Sequence, residues 1–410
     1  MAEWKFNRGE WTEAYVFMRL LGEGRIYGAS ANLVKDDATY MDIVSIIRDE
    51  PNQMLIFERF IEDNIAKIRS KRGEEVITVV TAPEISHEAK KLYDSIKNLS
   101  SSRVIGIAGA QQYLESMGVD TPKARLSNEA KEKYGSKTDI IMTTGDSLDH
   151  SVSTVGFSIK SHIGSPATLF NCSQKSGFTY QILGCDEAAM HEINAKDKFV
   201  DIRDAIASRF ALQYAGCRDV VFQENICLVD SRMDAILSEA LLVQAGLHGS
   251  CASNDVKDIC GRVAAINPLG FKNAETFYRV KFKDFLFASF AGMTASTEWN
   301  GRRRLAGGYI DVSKDGELLY YRAMSDDIFG EYLFQHTFFD RPDRGWCKDL
   351  AVETAKAFIR GEALDETEKN RIIYKNGQQG PLKPKKGNYG YIYASEGKYY
   401  IDLNFQIRFR

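Results

Sequence analysis

The first hundred residues alternate between helix-like and strand-like patterns, and this alternation restricts the possible folds more than any other feature of the sequence. Apolar side chains recur at helical spacing over Glu10–Leu21, which predicts an opening helix. Two further helices are predicted over Leu55–Arg69 and Glu84–Leu99. Short strands are predicted at Ile43–Ile47 and Val76–Val80, the second of them β-branched and buried. Helices that interleave with strands are typical of an α/β core and argue against a helix bundle or a β-sandwich.

The middle of the chain combines a predicted hairpin with a long helical region. Two apolar runs, Asp139–Thr144 and Thr154–Lys160, are separated by a polar turn and predict paired strands. A further strand is predicted at Phe178–Leu183. Helical periodicity then dominates residues 187–293, where strand patterns are few.

The end of the chain is rich in hairpin patterns. One hairpin is predicted over Gly308–Ala323, with its turn at Lys314-Asp315-Gly316, and another turns at Ser395-Glu396-Gly397. Apolar and polar residues then alternate over the last twelve positions, Tyr399–Arg410. This period of two predicts a strand with one packed face and one polar face open to water or a ligand.

Length and composition predict more than one structural region. The chain has 410 residues, of which 44% are hydrophobic, so a wholly disordered protein is excluded. We expect a core over residues 1–185, a mainly helical region over 186–300, and a hairpin-rich region over 301–410 that completes the core. No segment resembles a signal peptide or a membrane span, which predicts a cytoplasmic protein with no membrane partner.

Charge is balanced overall but unevenly distributed. The 53 Lys and Arg residues against 56 Asp and Glu leave a net charge of −3. Basic residues nevertheless outnumber acidic ones in Asn267–Arg304 and Arg371–Lys398. Segregated basic stretches can present a positive face to a polyanion, so nucleic acid is a candidate partner.

The predicted hairpin carries the residues best suited to chemistry. Strand alternation places Ser158 and Lys160 on one face, and pairing of the strands brings Asp139 beside them. A hard cation such as Mg²⁺ prefers oxygen ligands, which a carboxylate and a backbone carbonyl supply. A nearby ammonium can stabilise the charge that develops on a phosphoryl group. The arrangement therefore favours metal-dependent hydrolysis of phosphodiesters.

Two other segments support this interpretation. Glu10 and Glu13 lie three residues apart on the first predicted helix and so share one face. Residues 164–173 follow the lysine with small polar side chains, including Asn171 and Ser173. Such a segment can bring amide groups and hydroxyls close to DNA phosphates.

Three motifs together resemble the HpaII-type restriction endonucleases. They are Asn7–Tyr15 (NRGEWTEAY), Gly156–Ser161 (GFSIKS) and Leu403–Phe409 (LNFQIRF), which lie at both ends and in the middle of the chain. That family is similar in turn to the PD-(D/E)xK nucleases. The resemblance therefore implies an α/β (α+β) fold with a PD-(D/E)xK-like core, in which helices flank a mixed central sheet.

The resemblance also implies roles for individual residues. Asp139 matches the first acid of the nuclease motif and Lys160 matches its lysine, while Ile159 would offer its carbonyl to the metal. Ser158 stands where most such nucleases have Asp or Glu, and we retain it among the catalytic candidates.

The missing carboxylate must then come from another part of the chain. Glu13 resembles the helix glutamate of several superfamily members, and we prefer it to Glu10 as a catalytic residue and metal ligand. Asp146 and Asp149 in the connecting turn rank lower.

The function implied by the resemblance is that of a type II restriction endonuclease, which cleaves double-stranded DNA with Mg²⁺ at CCGG or a related site. A homodimer and a cognate DNA methyltransferase in the host are implied as partners. The alternative is a non-catalytic DNA-binding or repair-accessory protein on a degenerate nuclease core, which the serine at position 158 favours.

Contacts to DNA are predicted at several polar positions. The arginine triplet Arg302, Arg303 and Arg304 can supply bidentate bonds to guanine or contacts to phosphate. Asn171 and Ser173 are candidates in the small polar segment, and Arg408 lies on the polar face of the last strand.

Overall fold

The computed structural model describes residues 3–50, 53–99, 104–135, 137–164, 166–171, 175–196, 199–249, 251, 253–301, 307–322, 326–340, 390 and 392–410. The helices are α1 (Arg8–Glu23), α2 (Ala82–Lys97), α3 (Ala108–Ser116), α4 (Asn128–Tyr134), α5 (Glu187–Asn194), α6 (Phe199–Ala207), α7 (Val220–Cys227), α8 (Met233–Ala245), α9 (Val256–Ile266), α10 (Ala274–Phe290) and α11 (Asp326–Gln335). The strands are β1 (Arg25–Ala29), β2 (Lys35–Glu50), β3 (Gln53–Glu62), β4 (Ile65–Arg72), β5 (Glu75–Thr81), β6 (Ile140–Asp146), β7 (Val152–Ser161), β8 (Thr168–Phe170), β9 (Gly177–Leu183), β10 (Ala211–Cys217), β11 (Gly308–Val312), β12 (Leu318–Arg322), β13 (Thr337–Asp340), β14 (Ile392–Ser395), β15 (Lys398–Asn404) and β16 (Gln406–Phe409).

The chain divides into two compact units, and both are discontinuous in sequence. The first unit comprises Met1–Ala167, Arg303–Gln335 and Phe409–Arg410, and the second comprises Thr168–Arg302 and His336–Arg408. The sequence predicted three consecutive regions, whereas in the structure the chain leaves the first unit and later returns to it.

A single mixed sheet organises the first unit. Within the described residues its strand order is β1-β12-β11-β7-β6-β2-β3-β4-β5. Strands β1 and β12 are parallel, as are β11 and β7, and the remaining neighbours are antiparallel. Because β2 pairs with β1 as well as with β6, the first six strands of this order close into a ring, which the sequence did not predict. The α/β class is confirmed.

Helix α1 forms as predicted, and its boundaries have clear local causes. The Asn7 side chain accepts a hydrogen bond from the Glu10 amide, and the Glu10 side chain accepts one from the Asn7 amide, which together make a capping box. Gly24 ends the helix in the left-handed region with φ 70°. Trp11 and Phe17 are buried, so the helix is anchored in the core of the first unit.

The predicted hairpin is also confirmed. Strands β6 and β7 pair with Ile140 opposite Phe157, and the Asp139 amide donates to the Phe157 carbonyl (2.8 Å). On its other edge, β7 pairs with β11 in parallel, with Lys160 opposite Asp311. The hairpin is therefore held between two neighbours, since β6 pairs with β2.

Two predictions in the first hundred residues need correction. The predicted helix Leu55–Arg69 is wrong, because this segment forms the antiparallel strands β3 and β4, joined through Asp63 and Asn64. The predicted strand Val76–Val80 exists as part of β5, but Val76 and Val79 are exposed because β5 lies at the edge of the sheet.

The second unit contains helices α5–α10 and two small sheets, so the predicted helical character of residues 187–293 is confirmed. The sheets have the orders β10-β9-β15-β14 and β13-β16-β8. Its core is aromatic, and the Phe405 ring contacts the rings of Phe170, Phe178 and Phe222. In the part of the chain that the structure describes, no helix is long and apolar enough to span a membrane.

The predicted last strand is divided at Phe405 into β15 and β16, which belong to different sheets. Its apolar face is buried as predicted, but the polar face is not fully open to water. Asp402 and Asn404 are buried. Asp402 accepts hydrogen bonds from the Thr179 hydroxyl (2.8 Å) and the Tyr393 hydroxyl (3.1 Å), which offset the cost of burying its charge.

Candidate active site

Asp139 stands at the entrance of β6 and its carboxylate is fixed by β7. Oδ2 accepts hydrogen bonds from the Ile159 amide (2.8 Å) and from the Ser158 hydroxyl (3.2 Å). Ser158 is only 3% exposed, so it supports Asp139 from within the sheet. Ser158, at the position where the resemblance implies an acid, therefore helps to orient the Asp139 carboxylate.

Lys160 follows two residues after Ser158 and lies beside Asp139 on the wall of a cleft. Among the described residues, no carboxylate lies within ion-pair distance of its ammonium. A lysine in this position can respond to a bound anion, because it does not have to break an existing ion pair first.

Glu13 projects from α1 into the same cleft, and its side chain is 13% exposed. Burial and, secondarily, the charge of Asp139 raise the pKa of the Glu13 carboxyl to about 8, although Lys123 and Arg48 act in the opposite direction. Its Oε1 atom lies 3.5 Å from the Lys123 Nζ atom. Its Oε2 atom is buried and has no hydrogen-bond partner among the described residues.

Glu10 lines the cleft as well, but its carboxylate is already engaged. Its Oε2 atom accepts a hydrogen bond from the Asn7 amide at 2.9 Å, as part of the capping box of α1. Of the two helix acids, Glu13 is therefore the one whose carboxylate is not engaged in the helix cap, and its role as a catalytic residue and metal ligand stays a prediction.

The turn acids lie at the opposite end of the hairpin from Asp139. Asp146 ends β6 and forms an ion pair with the Arg322 guanidinium. Asp149 is exposed and accepts from the Ser151 amide (2.9 Å), and its hydrogen bonds to Ser151 lower its pKa. At roughly 3.3 Å per strand residue, the length of β6 separates both acids from Asp139 by about 20 Å.

Asp139, Lys160 and Glu13 line a cleft of about 540 Å³ that lies within the first unit. Its lining contains three basic and three acidic side chains among smaller polar and apolar ones. The residues are Asn7, Arg8, Gly9, Glu10, Glu13, Lys123, Asp139, Ile159, Lys160, Ser161, Ile163 and Ala167. Mixed charge around two converging carboxylates suits a phosphodiester and a metal ion together.

Three basic residues near the cleft were missed by sequence reasoning. Arg8 belongs to the first motif, but the sequence assigned it no role of its own. Lys123 lies in the loop between α3 and α4, where no local pattern marks it. Lys137 lies near Lys160 and Asp139. Burial and the Lys160 charge lower the pKa of Lys137, and Asp139 opposes them.

The cleft residues fit a hard divalent cation. Asp139 and Glu13 offer carboxylate oxygens, and one oxygen of Glu13 is buried without a partner. No group of three or more His, Cys, Asp or Glu side chains gathers around a possible metal position within the described residues. Two carboxylates are enough for Mg²⁺, which usually retains several of its water ligands. The Ile159 amide contacts Asp139, and a metal contact by the Ile159 carbonyl stays a prediction.

The predicted DNA-contacting residues that the structure describes belong to the second unit. Asn171 is exposed directly after β8. Arg408 lies on β16 with its Nε atom 3.1 Å from Asp340 Oδ2. Ser173 and the arginines Arg302, Arg303 and Arg304 lie outside the described residues. Neither Asn171 nor Arg408 lines the cleft that contains Glu13 and Asp139.

Comparison with known proteins agrees with the family resemblance read from the sequence. The model of the HpaII restriction endonuclease family matches residues 7–349. The type II restriction enzyme HpaII of Haemophilus parainfluenzae is 31% identical over 339 residues, which cover 82% of this chain and 90% of that protein. No solved structure matches the chain. The family match includes Glu13, Asp139 and Lys160, whereas the terminal motif Leu403–Phe409 lies beyond it.

Proposed function

Because the chain belongs to the HpaII restriction endonuclease family and is a type II site-specific deoxyribonuclease, we propose that it hydrolyses duplex DNA with Mg²⁺ at CCGG or a related site. The observation that supports this proposal best is the convergence of Glu13, Asp139 and Lys160 on one cleft. These side chains come from a helix and two strands, and together they supply oxygen ligands and a cation. We propose that this is a PD-(D/E)xK-type site in which Glu13 replaces the acid missing at Ser158.

In this proposal Asp139 and Glu13 would hold the metal ion, with the Ile159 carbonyl as a further ligand. When bound, Mg²⁺ polarises the phosphoryl group and lowers the pKa of a coordinated water. Lys160 would place its ammonium beside the scissile phosphate, where it offsets the negative charge that develops during attack. Ser158 and the Ile159 amide would keep the Asp139 carboxylate in one orientation throughout.

The remaining parts of the proposal concern partners. DNA is the partner implied by the family, and we propose contacts from Arg302, Arg303, Arg304, Asn171, Ser173 and Arg408. Cleavage of both strands is most simply achieved by a homodimer with two active sites. We further propose that a cognate methyltransferase protects the host DNA and that the enzyme acts in the cytoplasm.

Digestion of DNA of known sequence tests the proposal. The protein is incubated with unmethylated DNA in Mg²⁺, with EDTA as the metal-free control, and the fragment ends are mapped. We expect discrete fragments whose ends lie at CCGG or a related site, and no fragments with EDTA or with DNA methylated at that site. Retention of DNA on a gel without cleavage in any divalent metal would instead support the non-catalytic DNA-binding alternative.

A further inference from the structure

The ammonium group of Lys123 lies beside the Glu13 carboxylate, which is also a proposed ligand of the metal ion. The Lys123 Nζ atom lies 3.5 Å from Glu13 Oε1, and the two side chains are 45% and 13% exposed. The lysine thus reaches from a more exposed loop to a mostly buried acid. An uncompensated buried carboxylate is costly, so without a metal ion this ammonium stabilises the ionised form of Glu13, which is also the form that a metal ion binds.

The loop that carries Lys123 is fixed by a buried arginine. Arg48 on β2 is 3% exposed and donates to the Thr121 carbonyl at 2.7 Å. A longer contact of 3.5 Å joins it to the Pro122 carbonyl. The Thr121 hydroxyl donates in turn to the carbonyl of Lys123. Because core hydrogen bonds hold both residues that precede Lys123, the lysine is directed at Glu13 by the fold.

Arg48 is itself anchored against the helix that carries the acid. Its guanidinium lies 5.1 Å from the centre of the Phe17 ring, and Phe17 is four residues beyond Glu13 on α1. The acid, the lysine loop and the arginine are therefore parts of one packed assembly in the first unit. An accidental surface ion pair would not be supported in this way.

We propose that Lys123 is a resident counter-ion that competes with the divalent cation for Glu13 and so weakens metal binding. This inference rests on the proposed function, since it assigns a metal to the Glu13 and Asp139 carboxylates. A monovalent ammonium and a divalent cation near one carboxylate repel each other at short range. Because Lys123 lies on Oε1 while Oε2 has no partner among the described residues, a metal ion on Glu13 would share the carboxylate with the ammonium. The lysine therefore raises the metal concentration at which the site fills.

Mn²⁺ binding to the full-length, DNA-free protein tests the proposal without depending on cleavage. Free Mn²⁺ is measured by electron paramagnetic resonance during titration at constant pH and salt. Lys123→Met keeps the apolar stem and removes the charge, and we expect Mn²⁺ to bind about fivefold or more tightly than to wild type. Lys123→Arg keeps the charge and should bind Mn²⁺ within about twofold of wild type.

Lys137→Met is the matched control for a general change of charge. Lys137 is a cation near Asp139 and Lys160, and no ion pair joins it to Glu13 in the described residues. The gain in Mn²⁺ affinity for Lys137→Met should be clearly smaller than for Lys123→Met. An equal gain in the two variants, or an unchanged or weaker affinity in Lys123→Met, would overturn the counter-ion role.

Asp139→Asn separates failure of this proposal from failure of the proposed function. If wild type binds Mn²⁺, Asp139→Asn does not, and Lys123→Met resembles wild type, then the metal site stands and only the counter-ion role is rejected. If wild type and all variants bind no Mn²⁺, both the metal site and the counter-ion role are rejected. Thermal melting of each variant shows that binding differences do not come from unfolding.

Discussion

A buried carboxylate, Asp311, and a mostly buried one, Glu13, both lie near strand β7, and their surroundings differ sharply. Asp311 on β11 is 1% exposed. Its Oδ1 atom accepts hydrogen bonds from the hydroxyls of Tyr309 (2.9 Å) and Tyr332 (2.7 Å), and it lies 2.8 Å from the Nε2 atom of His162. Glu13 has one ion pair and one buried oxygen without a partner among the described residues.

The difference separates an acid that holds the fold together from an acid kept ready for a ligand. Asp311 has the donors that a buried charge needs, and its hydrogen bonds link β11 to His162, which directly follows β7, and to Tyr332 on α11. The Oε2 atom of Glu13 has no hydrogen-bond donor among the described residues, and burial raises the pKa of the carboxyl to about 8. A mostly buried carboxylate with too few hydrogen-bond donors is a candidate for binding a cation.

The largest effect is expected at the residues proposed to carry the chemistry. Asp139→Asn and Lys160→Ala should each reduce the cleavage rate by on the order of a thousandfold, since each removes a group that stabilises the transition state. Single-turnover cleavage measures this loss, and a gel-shift assay in Ca²⁺ should show that specific DNA binding survives. An early melting transition in both variants would mean that the residues are structural.

Substitution of Asp311 is expected to lower the free energy of unfolding rather than to remove a group that takes part in cleavage. Asp311→Ala leaves His162, Tyr309 and Tyr332 without their shared acceptor and should cost about 3 kcal/mol of stability. Thermal or urea unfolding measures the change. Asp311→Asn keeps an acceptor oxygen and should lose less. If Asp311→Ala melts like wild type but fails to bind Mn²⁺, the distinction between the two acids is wrong.

The two helix acids should differ in their effect on cleavage. Glu13→Gln should slow cleavage about a hundredfold because a neutral amide is a poor ligand for Mg²⁺. Glu10→Gln should change the rate by less than about threefold, since its carboxylate acts in the helix cap. Cleavage rates at saturating Mg²⁺ measure both. Equal and mild effects would return the role of the missing acid to another residue.

A further effect, on stability rather than on cleavage, depends on pH in the metal-free protein. The Glu13 pKa is raised from 4.5 to about 8, so the folded state binds this proton more tightly than the unfolded state. Stability from this group is present below pH 4.5 and is lost as the pH rises toward 8. Glu13→Gln cannot titrate, and in EDTA its melting temperature relative to wild type should rise between pH 5 and pH 8.5. A difference that is independent of pH would contradict the raised pKa.

The sequence predicted the hairpin of β6 and β7 well because its determinants are local. Alternation over Thr154–Lys160 and the polar turn specify two strands, and hairpin pairing then brings Asp139 beside Ser158 without further information. The cap formed by Asn7 and Glu10 is equally local, so the helix that carries Glu13 was also predicted.

The helix predicted over Leu55–Arg69 failed because two periodicities overlapped. The segment is rich in apolar residues at spacings that suit either a helix or a strand. Asp63 and Asn64 decide the outcome, since both adopt positive φ (53° and 60°) and form a tight turn between β3 and β4. Asp and Asn tolerate this conformation better than most residues, so the Asp63-Asn64 pair indicates a turn at this point of the sequence.

Long-range features could not be predicted from one sequence. Closure of the ring requires β1 to pair with β12, and nothing near either strand specifies the partner. Lys123 is directed at Glu13 by Arg48, which is distant in sequence from both, and Asp311 gains its donors from three separate segments. These contacts depend on tertiary packing rather than on local propensity.

Closure of the six-strand ring also affects the order in which strand pairings form during synthesis of the chain. Strand β7 receives its second neighbour from β11, which a ribosome synthesises well over a hundred residues after Lys160. Pairings between such distant segments form late, because a long loop must close first. Until then the strand that carries Lys160 has an open edge. Completion of the sheet around Lys160 therefore depends on synthesis of β11, and we expect a nascent chain that ends before Gly308 to leave DNA uncut.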